Sequence, residues 1–174
     1  MTEGEVATRR GVLPATLLAL RSLLWAALLP GVVAGYVPWR FFGLDRARLD
    51  EVGVRQVTGI ACMGAGVFLL ALCIWEFARS GRGTLAPVDP PKELVVRGLY
   101  RYVRNPMYLS VTLILLGEAL LVGSRALFVY WVVWFVVVNV FVLAYEEPAL
   151  RRRFGQQYEE YARRVGRWLP SLRG

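Results

Sequence analysis

Residues 126–145 read ALFVYWVVWFVVVNVFVLAY, and this stretch decides the fold class of the chain. A helix that crosses the hydrocarbon core of a bilayer needs about twenty apolar residues, which is the length of this stretch. Its β-branched and aromatic residues would suit a strand in water, but polar and apolar positions do not alternate. In lipid, a helix satisfies its own backbone hydrogen bonds. The stretch therefore predicts a membrane-spanning helix.

Three further apolar stretches precede it, at residues 12–37, 57–78 and 107–123. The last of them is short for a membrane span. Only a glycine, a serine and an arginine separate it from the stretch at 126–145, so we expect a tight antiparallel hairpin between the last two spans. The sequence therefore predicts an all-α, polytopic membrane bundle of about four transmembrane helices.

The composition agrees with a membrane protein. The 174 residues are 56% hydrophobic, and the mean hydropathy of +0.45 is too high for an ordinary soluble domain. With these apolar stretches, the net charge of +8 indicates a membrane surface as partner and argues against nucleic acid. The chain has no histidine, and its two cysteines form no zinc or disulfide pattern, so no metal site is expected.

The distribution of basic residues predicts the orientation in the membrane. If the N-terminus is inside, fifteen lysines and arginines lie in inner segments and five in outer segments. This bias favours both termini and the 79–106 loop on the cytoplasmic side. Nearly all basic residues are arginine, which is typical of a GC-rich genome, and we expect the inner (cytoplasmic) membrane of a bacterium.

The segment after the fourth span has the pattern of an amphipathic C-terminal helix. Pro148 suits the first turn of a helix. Apolar residues then recur at steps of three and four, with arginines and glutamates on the other face, so we expect the helix to lie on or against the membrane surface. The apolar positions are Leu150, Phe154, Tyr158, Tyr161, Val165 and Trp168.

Two charged residues lie inside predicted spans. Arg21 is about 14 Å along its span and Glu118 is about 16 Å along its own, so their depths match. A lone charge in the membrane costs at least about 3 kcal/mol. We therefore predict a structural ion pair between the first and third spans. The alternative is that Glu118 contacts the substrate.

Other small or polar residues in the spans suggest helix contacts. Asn139 lies deep in the fourth span, where we expect it to make an interhelical hydrogen bond. Glycines spaced four apart, and small residues near them, allow two helices to approach closely. These positions are Gly31 and Gly35 in the first span and Gly64 and Gly66 in the second.

The densest basic and aromatic cluster, YRYVRNPMY at residues 100–108, directly precedes the third span. A tight hairpin places residues 107 and 145 side by side at its open end, next to the glutamates that end the fourth span. Segments that converge there are the 81–108 loop, the glutamate pair and the C-terminal helix. The residues brought within reach of one another are Arg104, Asn105, Tyr108, Glu146 and Glu147.

This set of side chains suits a charged ligand that carries an aromatic base. Arginine binds a carboxylate or a phosphate, and a tyrosine ring binds a cation or a base. Glutamate binds a cation or a ribose diol, and Gly98 allows close approach of the backbone. S-adenosylmethionine fits this set, because it has a carboxylate, an ammonium, a sulfonium, a ribose and an adenine. The alternative is that the arginines contact anionic headgroups and the tyrosines form an interfacial belt.

Four segments of the C-terminal half carry a family resemblance. They are GRGTLAPVDPP at 81–91, VVRGLYRYVRNPMYLS at 95–110, LAYEEPALRRRFGQQYEEY at 143–161 and VGRWLP at 165–170. In this order and spacing, they resemble the integral-membrane methyltransferases of the isoprenylcysteine carboxyl methyltransferase and phospholipid methyltransferase superfamily. The first 80 residues are similar only as apolar spans.

The resemblance implies a helical pocket for S-adenosylmethionine, closed by the C-terminal segment and open to the membrane for a lipophilic acceptor. It implies one membrane domain, residues 1–174, in which 1–80 form the acceptor side and 81–174 the cofactor-binding core. Glu146 and Glu147 match the acidic pair of the superfamily and are the candidate catalytic residues. The implied cofactor-binding residues are Gly98, Leu99, Tyr100, Arg104, Asn105, Pro106, Tyr108, Glu146 and Glu147.

Two positions depart from the superfamily pattern. Asn105 replaces the histidine of the common R-H-P-x-Y motif, although an asparagine can still donate and accept hydrogen bonds. Carboxyl methyltransferases tend to have an arginine just before the acidic pair, whereas residues 142–145 read VLAY. A prenylcysteine carboxylate is therefore a doubtful substrate.

The sequence thus predicts a membrane-embedded, S-adenosylmethionine-dependent methyltransferase with a lipophilic or lipid-like acceptor, such as an aminophospholipid or an isoprenoid compound. Two alternatives stay open: a nicotinamide-dependent membrane reductase of similar architecture, and a non-enzymatic adaptor that binds anionic lipid. The sequence does not identify the acceptor or the atom that is methylated. It also leaves a homo-oligomer open.

Overall fold

The computed structural model describes residues 28–43, 52–80, 94 and 96–170, with only the helical backbone at 77–80. Residues 28–31 are already helical. The helices that follow are, in chain order, α1 (Val37–Phe42), α2 (Val54–Ser80), α3 (Pro106–Val122), α4 (Arg125–Phe141), α5 (Glu147–Phe154) and α6 (Gln156–Arg164). A π-helical turn, Val32–Tyr36, leads into α1, and a second, Val142–Glu146, joins α4 to α5. A 3₁₀ turn, Gly98–Arg101, precedes α3.

The predicted all-α membrane fold is confirmed. Within the described residues, two helical stretches are long and apolar enough to cross a membrane: Val54–Glu76 with 23 residues and Arg125–Phe154 with 30. The apolar helix α3 is shorter, at 17 residues. Over the described ranges, strand-like pairing is limited to an isolated parallel bridge between Val103 and Gly166.

The first predicted span, residues 12–37, lies largely outside the described residues. Its described end is helical, but the helix continues past Val37 to Phe42, so the predicted boundary was wrong. The apolar and aromatic residues at 39, 41 and 42 permit this extension. The helix stops at Gly43, whose φ of 69° is the left-handed conformation that glycine adopts at a helix C-terminus.

The tight hairpin predicted at residues 123–125 is confirmed. Gly123 ends α3 in the left-handed conformation, with φ of 69°. The Ser124 side chain then accepts a hydrogen bond from the Leu127 N–H at 3.3 Å and caps the start of α4. The two helices therefore run antiparallel, and the residue before α3 lies near the end of α4.

Glycines let α2 and α3 pack backbone against backbone. A Cβ atom on Gly59 would lie 2.8 Å from the Gly117 carbonyl oxygen, and one on Gly66 would lie 2.7 Å from the Ser110 carbonyl oxygen. The predicted close approach at Gly66 is confirmed, whereas Gly59 and Gly117 were missed. At the other predicted positions, an added Cβ atom would meet no neighbouring atom of the described residues within 4 Å: Gly31, Gly35 and Gly64.

The C-terminal segment forms two helices, so the prediction of one continuous amphipathic helix was wrong. Gly155, with φ of 52°, separates α5 from α6, and α6 ends before Val165. The apolar stripe faces the protein interior: its core is Tyr158, Tyr161 and Val165, packed against Leu94, Leu150, Phe154 and Ala162. This packing folds α6 back against the turn that precedes α3.

Candidate active site

The acidic pair lies where α4 passes into α5 through the π-helical turn Val142–Glu146. Such turns change the direction of successive side chains and are frequent at functional sites. Here the turn lies at two adjacent carboxylates, which point in different directions. Glu146 points to α3, and Glu147 points to the basic residues around the C-terminal segment.

Glu147 is the centre of a buried ion-pair network. Only 3% of the residue is exposed. Its Oε1 accepts from Arg167 Nε at 2.6 Å and its Oε2 from Arg167 Nη2 at 3.0 Å. Arg104 Nη1 lies 3.0 Å from Oε1. Hydrogen bonding to Glu147 raises the pKa of Arg167 above its ordinary value. Arg104 and Arg167 therefore neutralise the carboxylate at close range, and Arg151 Nη2 lies farther away, 3.8 Å from Oε2.

Glu146 has a neutral partner. The Tyr108 hydroxyl donates to Glu146 Oε2 at 3.1 Å. Because a carboxylate can accept about four hydrogen bonds, this contact leaves acceptor capacity on Glu146. The two adjacent glutamates thus differ: Glu147 is bound by cations, and Glu146 is bound by a phenol at the end of an apolar bundle.

The Arg104 guanidinium connects this pair to α6. Its Nη1 also donates to the Tyr158 hydroxyl at 3.2 Å. Its Nε is buried and has no hydrogen-bond partner among the described residues. An unsatisfied buried N–H is costly, and a ligand oxygen would satisfy it. Arg104 therefore has one donor that could bind an anionic or carbonyl group.

Residues 165–168, which we call the C-terminal strap, close this end of the bundle. The Arg104 backbone N–H donates to the Gly166 carbonyl at 2.9 Å. Asn105 Nδ2 donates to the Arg167 carbonyl at 3.4 Å. Trp168 Nε1 donates to Asn139 Oδ1 at 3.0 Å, so Asn139 joins α4 to the strap. The sequence predicts a hydrogen bond from Asn139 to another membrane helix, whereas its partner here is the strap.

The 3₁₀ turn Gly98–Arg101 is held from two sides. The Leu99 N–H donates to the Glu76 carboxylate of α2, at 3.3 and 3.2 Å from its two oxygens. The Tyr161 hydroxyl of α6 donates to the Tyr100 carbonyl at 2.7 Å. Burial raises the pKa of Tyr100 well above its ordinary value, so its hydroxyl is protonated at neutral pH.

The structure brings together most of the predicted site residues. Arg104 pairs with Glu147, Tyr108 bonds to Glu146, and Asn105 contacts the strap. Pro106 is buried in the first turn of α3, where its missing N–H costs nothing. Gly98 and Leu99 contact α2 through Glu76. Their roles in binding or catalysis stay predictions.

Four residues of this region were missed as site residues: Glu76, Tyr158, Arg167 and Trp168. The last two lie in VGRWLP, a segment of the family resemblance, and the sequence marks Tyr158 and Trp168 as apolar positions of the C-terminal helix without assigning them to the site. Glu76 gave a signal as well, because an acid near the end of a long apolar helix needs a specific interaction.

Glu118 lies apart from this cluster, within α3. It is 2% exposed, and its Oε2 has no hydrogen-bond partner among the described residues. The proposed partner, Arg21, lies outside those residues. The ion pair between them therefore stays a prediction, and the burial of Glu118 agrees with the need for it.

Comparisons with known proteins identify the family of the chain. A family model described as phospholipid methyltransferase matches residues 54–157, which is more than half of the chain. An uncharacterized protein of Haemophilus influenzae is 40% identical over 63 residues, which are 36% of this chain and all of that protein.

A phosphatidylethanolamine N-methyltransferase of Pyricularia oryzae is 33% identical over 70 residues, which are 40% of this chain and 7% of the length of that enzyme. No solved structure matches the chain. The family match runs from α2 to the start of α6 and includes Arg104, Tyr108 and the acidic pair, whereas Arg167 lies after it. The chain therefore belongs to the phospholipid methyltransferase family, whose members are membrane methyltransferases.

Proposed function

We propose that this protein is a membrane-embedded, S-adenosylmethionine-dependent methyltransferase with a lipophilic or lipid-like acceptor. The observation that carries the proposal is the unequal pairing of two adjacent carboxylates. Glu147 is neutralised by Arg104 and Arg167, whereas Glu146 bonds to the Tyr108 hydroxyl. A carboxylate with remaining acceptor capacity thus lies at the boundary between the apolar helices and the basic segment.

The residues present fit S-adenosylmethionine. The unpaired Nε–H of Arg104 suits the carboxylate of the cofactor. Glu146 suits its ammonium group or its ribose hydroxyls, and the rings of Tyr100 and Tyr108 suit the sulfonium or the adenine. Gly98, with φ of 53°, lets the backbone of the turn approach a ligand closely.

When bound, S-adenosylmethionine would supply an electrophilic methyl group on a positively charged sulfonium. The contribution of the protein is then to hold the two reactants in line, because positioning and electrostatics dominate such a transfer. Arg104 would bind the carboxylate of the cofactor and Glu146 its ammonium group or ribose hydroxyls, and together they would orient it. Glu147 fixes the Arg104 guanidinium in place. An amine acceptor would lose one proton, which the Glu146 carboxylate could take.

The proposal includes the cellular membrane in which the protein lies and the side of that membrane on which the site faces. The excess of basic residues around residues 79–106 and 151–173 supports a site on the cytoplasmic side of a bacterial inner membrane. We assign the acceptor to the side formed by residues 1–80 and the cofactor to residues 81–174, within one membrane domain. An aminophospholipid or an isoprenoid compound would enter from the membrane.

Calorimetric binding of S-adenosylhomocysteine to the detergent-purified protein tests the proposal. Tyr108→Phe removes one hydrogen bond to Glu146 and keeps the ring, so we expect about fivefold to tenfold weaker binding. Glu146→Gln should weaken binding at least tenfold. Glu159→Gln, an exposed control, should bind as the wild type does. A folded protein that binds NADPH and not S-adenosylhomocysteine would instead favour the reductase alternative.

A further inference from the structure

Glu76 is the first charged residue after a long apolar run of α2 and lies one turn before the helix ends, three residues before Arg79. An acid near a helix C-terminus is unfavourable with respect to the helix dipole, and partial burial adds a desolvation cost. Its position therefore calls for a specific interaction. The Leu99 N–H provides one, because it donates to both carboxylate oxygens, at 3.3 and 3.2 Å.

The conformation of Gly98 and its lack of a side chain permit this contact. Its φ of 53° is in the left-handed region, which favours glycine. A Cβ atom at this position would also overlap the Glu76 carboxylate. Two independent features of the turn thus accommodate the same carboxylate. Gly98 leaves room for it, and the Leu99 N–H points to it.

The turn that Glu76 holds leads directly into the candidate site. Its Tyr100 carbonyl is bound by the Tyr161 hydroxyl of α6 at 2.7 Å, so the turn is fixed between α2 and α6. Three residues after the turn, Arg104 reaches Glu147. A shift of the turn away from α2 would therefore move both Tyr100 and the Arg104 guanidinium.

We propose that Glu76 is a positioning residue of the cofactor site: it binds the Leu99 N–H and fixes the Gly98–Arg101 turn against α2. This inference rests on the proposed function and adds a residue from the side of the chain assigned to the acceptor. Glu76 acts as a hydrogen-bond acceptor in this role. A glutamine, whose amide oxygen also accepts, should therefore replace it, and an alanine should not.

The test compares Glu76→Ala, Glu76→Gln and the exposed control Glu159→Ala in the full-length protein in detergent. We expect Glu76→Ala to weaken the binding of S-adenosylhomocysteine at least tenfold, and Glu76→Gln to stay within about threefold of the wild type. Unchanged binding in Glu76→Ala, or an equal loss in Glu76→Gln, would overturn the inference.

Hydrogen–deuterium exchange separates this inference from the proposed function. Amides of residues 97–104 should exchange at least tenfold faster in Glu76→Ala and at the wild-type rate in Glu76→Gln, with or without a ligand. If the wild-type protein binds no S-adenosylhomocysteine, the proposed function fails whatever the exchange shows. If the wild type binds but exchange in Glu76→Ala is unchanged, only the role of Glu76 fails.

A double-mutant cycle with Gly98→Ala adds a second check. The alanine alone meets the Glu76 carboxylate and a strained φ, whereas in the Glu76→Ala background only the strain remains. We expect Gly98→Ala to weaken binding by a clearly smaller factor in that background than in the wild type. Equal factors in both backgrounds would mean that the two residues do not act together.

Discussion

Replacing Glu147 with glutamine keeps the size of the side chain and removes its charge. The structure predicts a large loss of stability, because the carboxyl side chain is 4% exposed and neutralises two guanidinium groups, which are 11% exposed in Arg104 and 28% exposed in Arg167. Breaking a buried ion pair by removing one partner costs about 3–5 kcal/mol. Since Arg167 can turn toward solvent, we expect the lower end, about 3 kcal/mol.

The matched control is the Arg151–Glu159 pair. Its nitrogen–oxygen distance is 2.9 Å, similar to those in the buried network, but its side chains are 48% and 50% exposed. Exposed pairs contribute about 0–1 kcal/mol, so Glu159→Gln should change stability little. The two sites share chemical type and similar distances but differ in burial and in the number of close guanidinium partners, which is two for Glu147 and one for Glu159. Arg151 also lies 3.8 Å from Glu147, a longer contact that Glu159→Gln leaves in place.

Thermal unfolding in detergent, followed by tryptophan fluorescence, measures both variants. With about 2–4 °C per kcal/mol for a chain of this size, Glu147→Gln should lower Tm by about 6–12 °C and Glu159→Gln by less than about 4 °C. Adding Arg167→Gln to Glu147→Gln should recover part of the loss, because one unpaired charge is removed. Equal shifts for the two glutamate variants would refute the view that Glu147 is the centre of a buried network.

Three further predictions concern the packing of the bundle. Gly117→Leu should prevent the close contact of α2 and α3 and leave little folded protein in detergent, while Gly64→Ala should express and unfold as the wild type does, because no described atom lies within 4 Å of its Cβ. Arg21→Ala and Glu118→Ala should each cost about 3 kcal/mol of unfolding free energy, and the double variant should cost less than their sum; strict additivity would exclude the ion pair. Tyr161→Phe removes the hydrogen bond to the 3₁₀ turn and should cost about 1 kcal/mol, and an unchanged Tm would show that this contact does not hold the turn.

Much of the fold follows from local rules in the sequence. The length of the stretch at 126–145 and the three residues before it predict a helix and a tight hairpin, and both features depend only on neighbouring residues. The contact of Tyr108 with Glu146 then follows, because the hairpin brings the start of α3 to the end of α4. Local periodicity and chain connectivity are sufficient for these features.

The rest depends on contacts between residues far apart in the chain. The apolar spacing of the C-terminal segment continues across Gly155, so this periodicity does not reveal the break there, although the glycine itself is a local signal. The inward direction of the apolar stripe depends on packing against residues far away in the chain. One partner of Glu147, Arg104, was predicted to lie within reach, but its second partner, Arg167, was not. Many arginines precede and follow the acidic pair, and spacing alone does not select Arg167, which is 20 residues away. The close packing at Gly59 and Gly117 likewise requires the register between two helices.

Transfer of a labelled methyl group tests the central claim most directly. Purified protein in lipid nanodiscs would be incubated with S-adenosylmethionine labelled at the methyl carbon, and the lipid fraction would then be extracted and counted. The account predicts label in the lipid fraction with the wild-type protein, at least tenfold less with Glu146→Gln, and no loss with Glu159→Gln. No transfer by a folded wild-type protein to bacterial lipid extract, or equal transfer by Glu146→Gln, would contradict it.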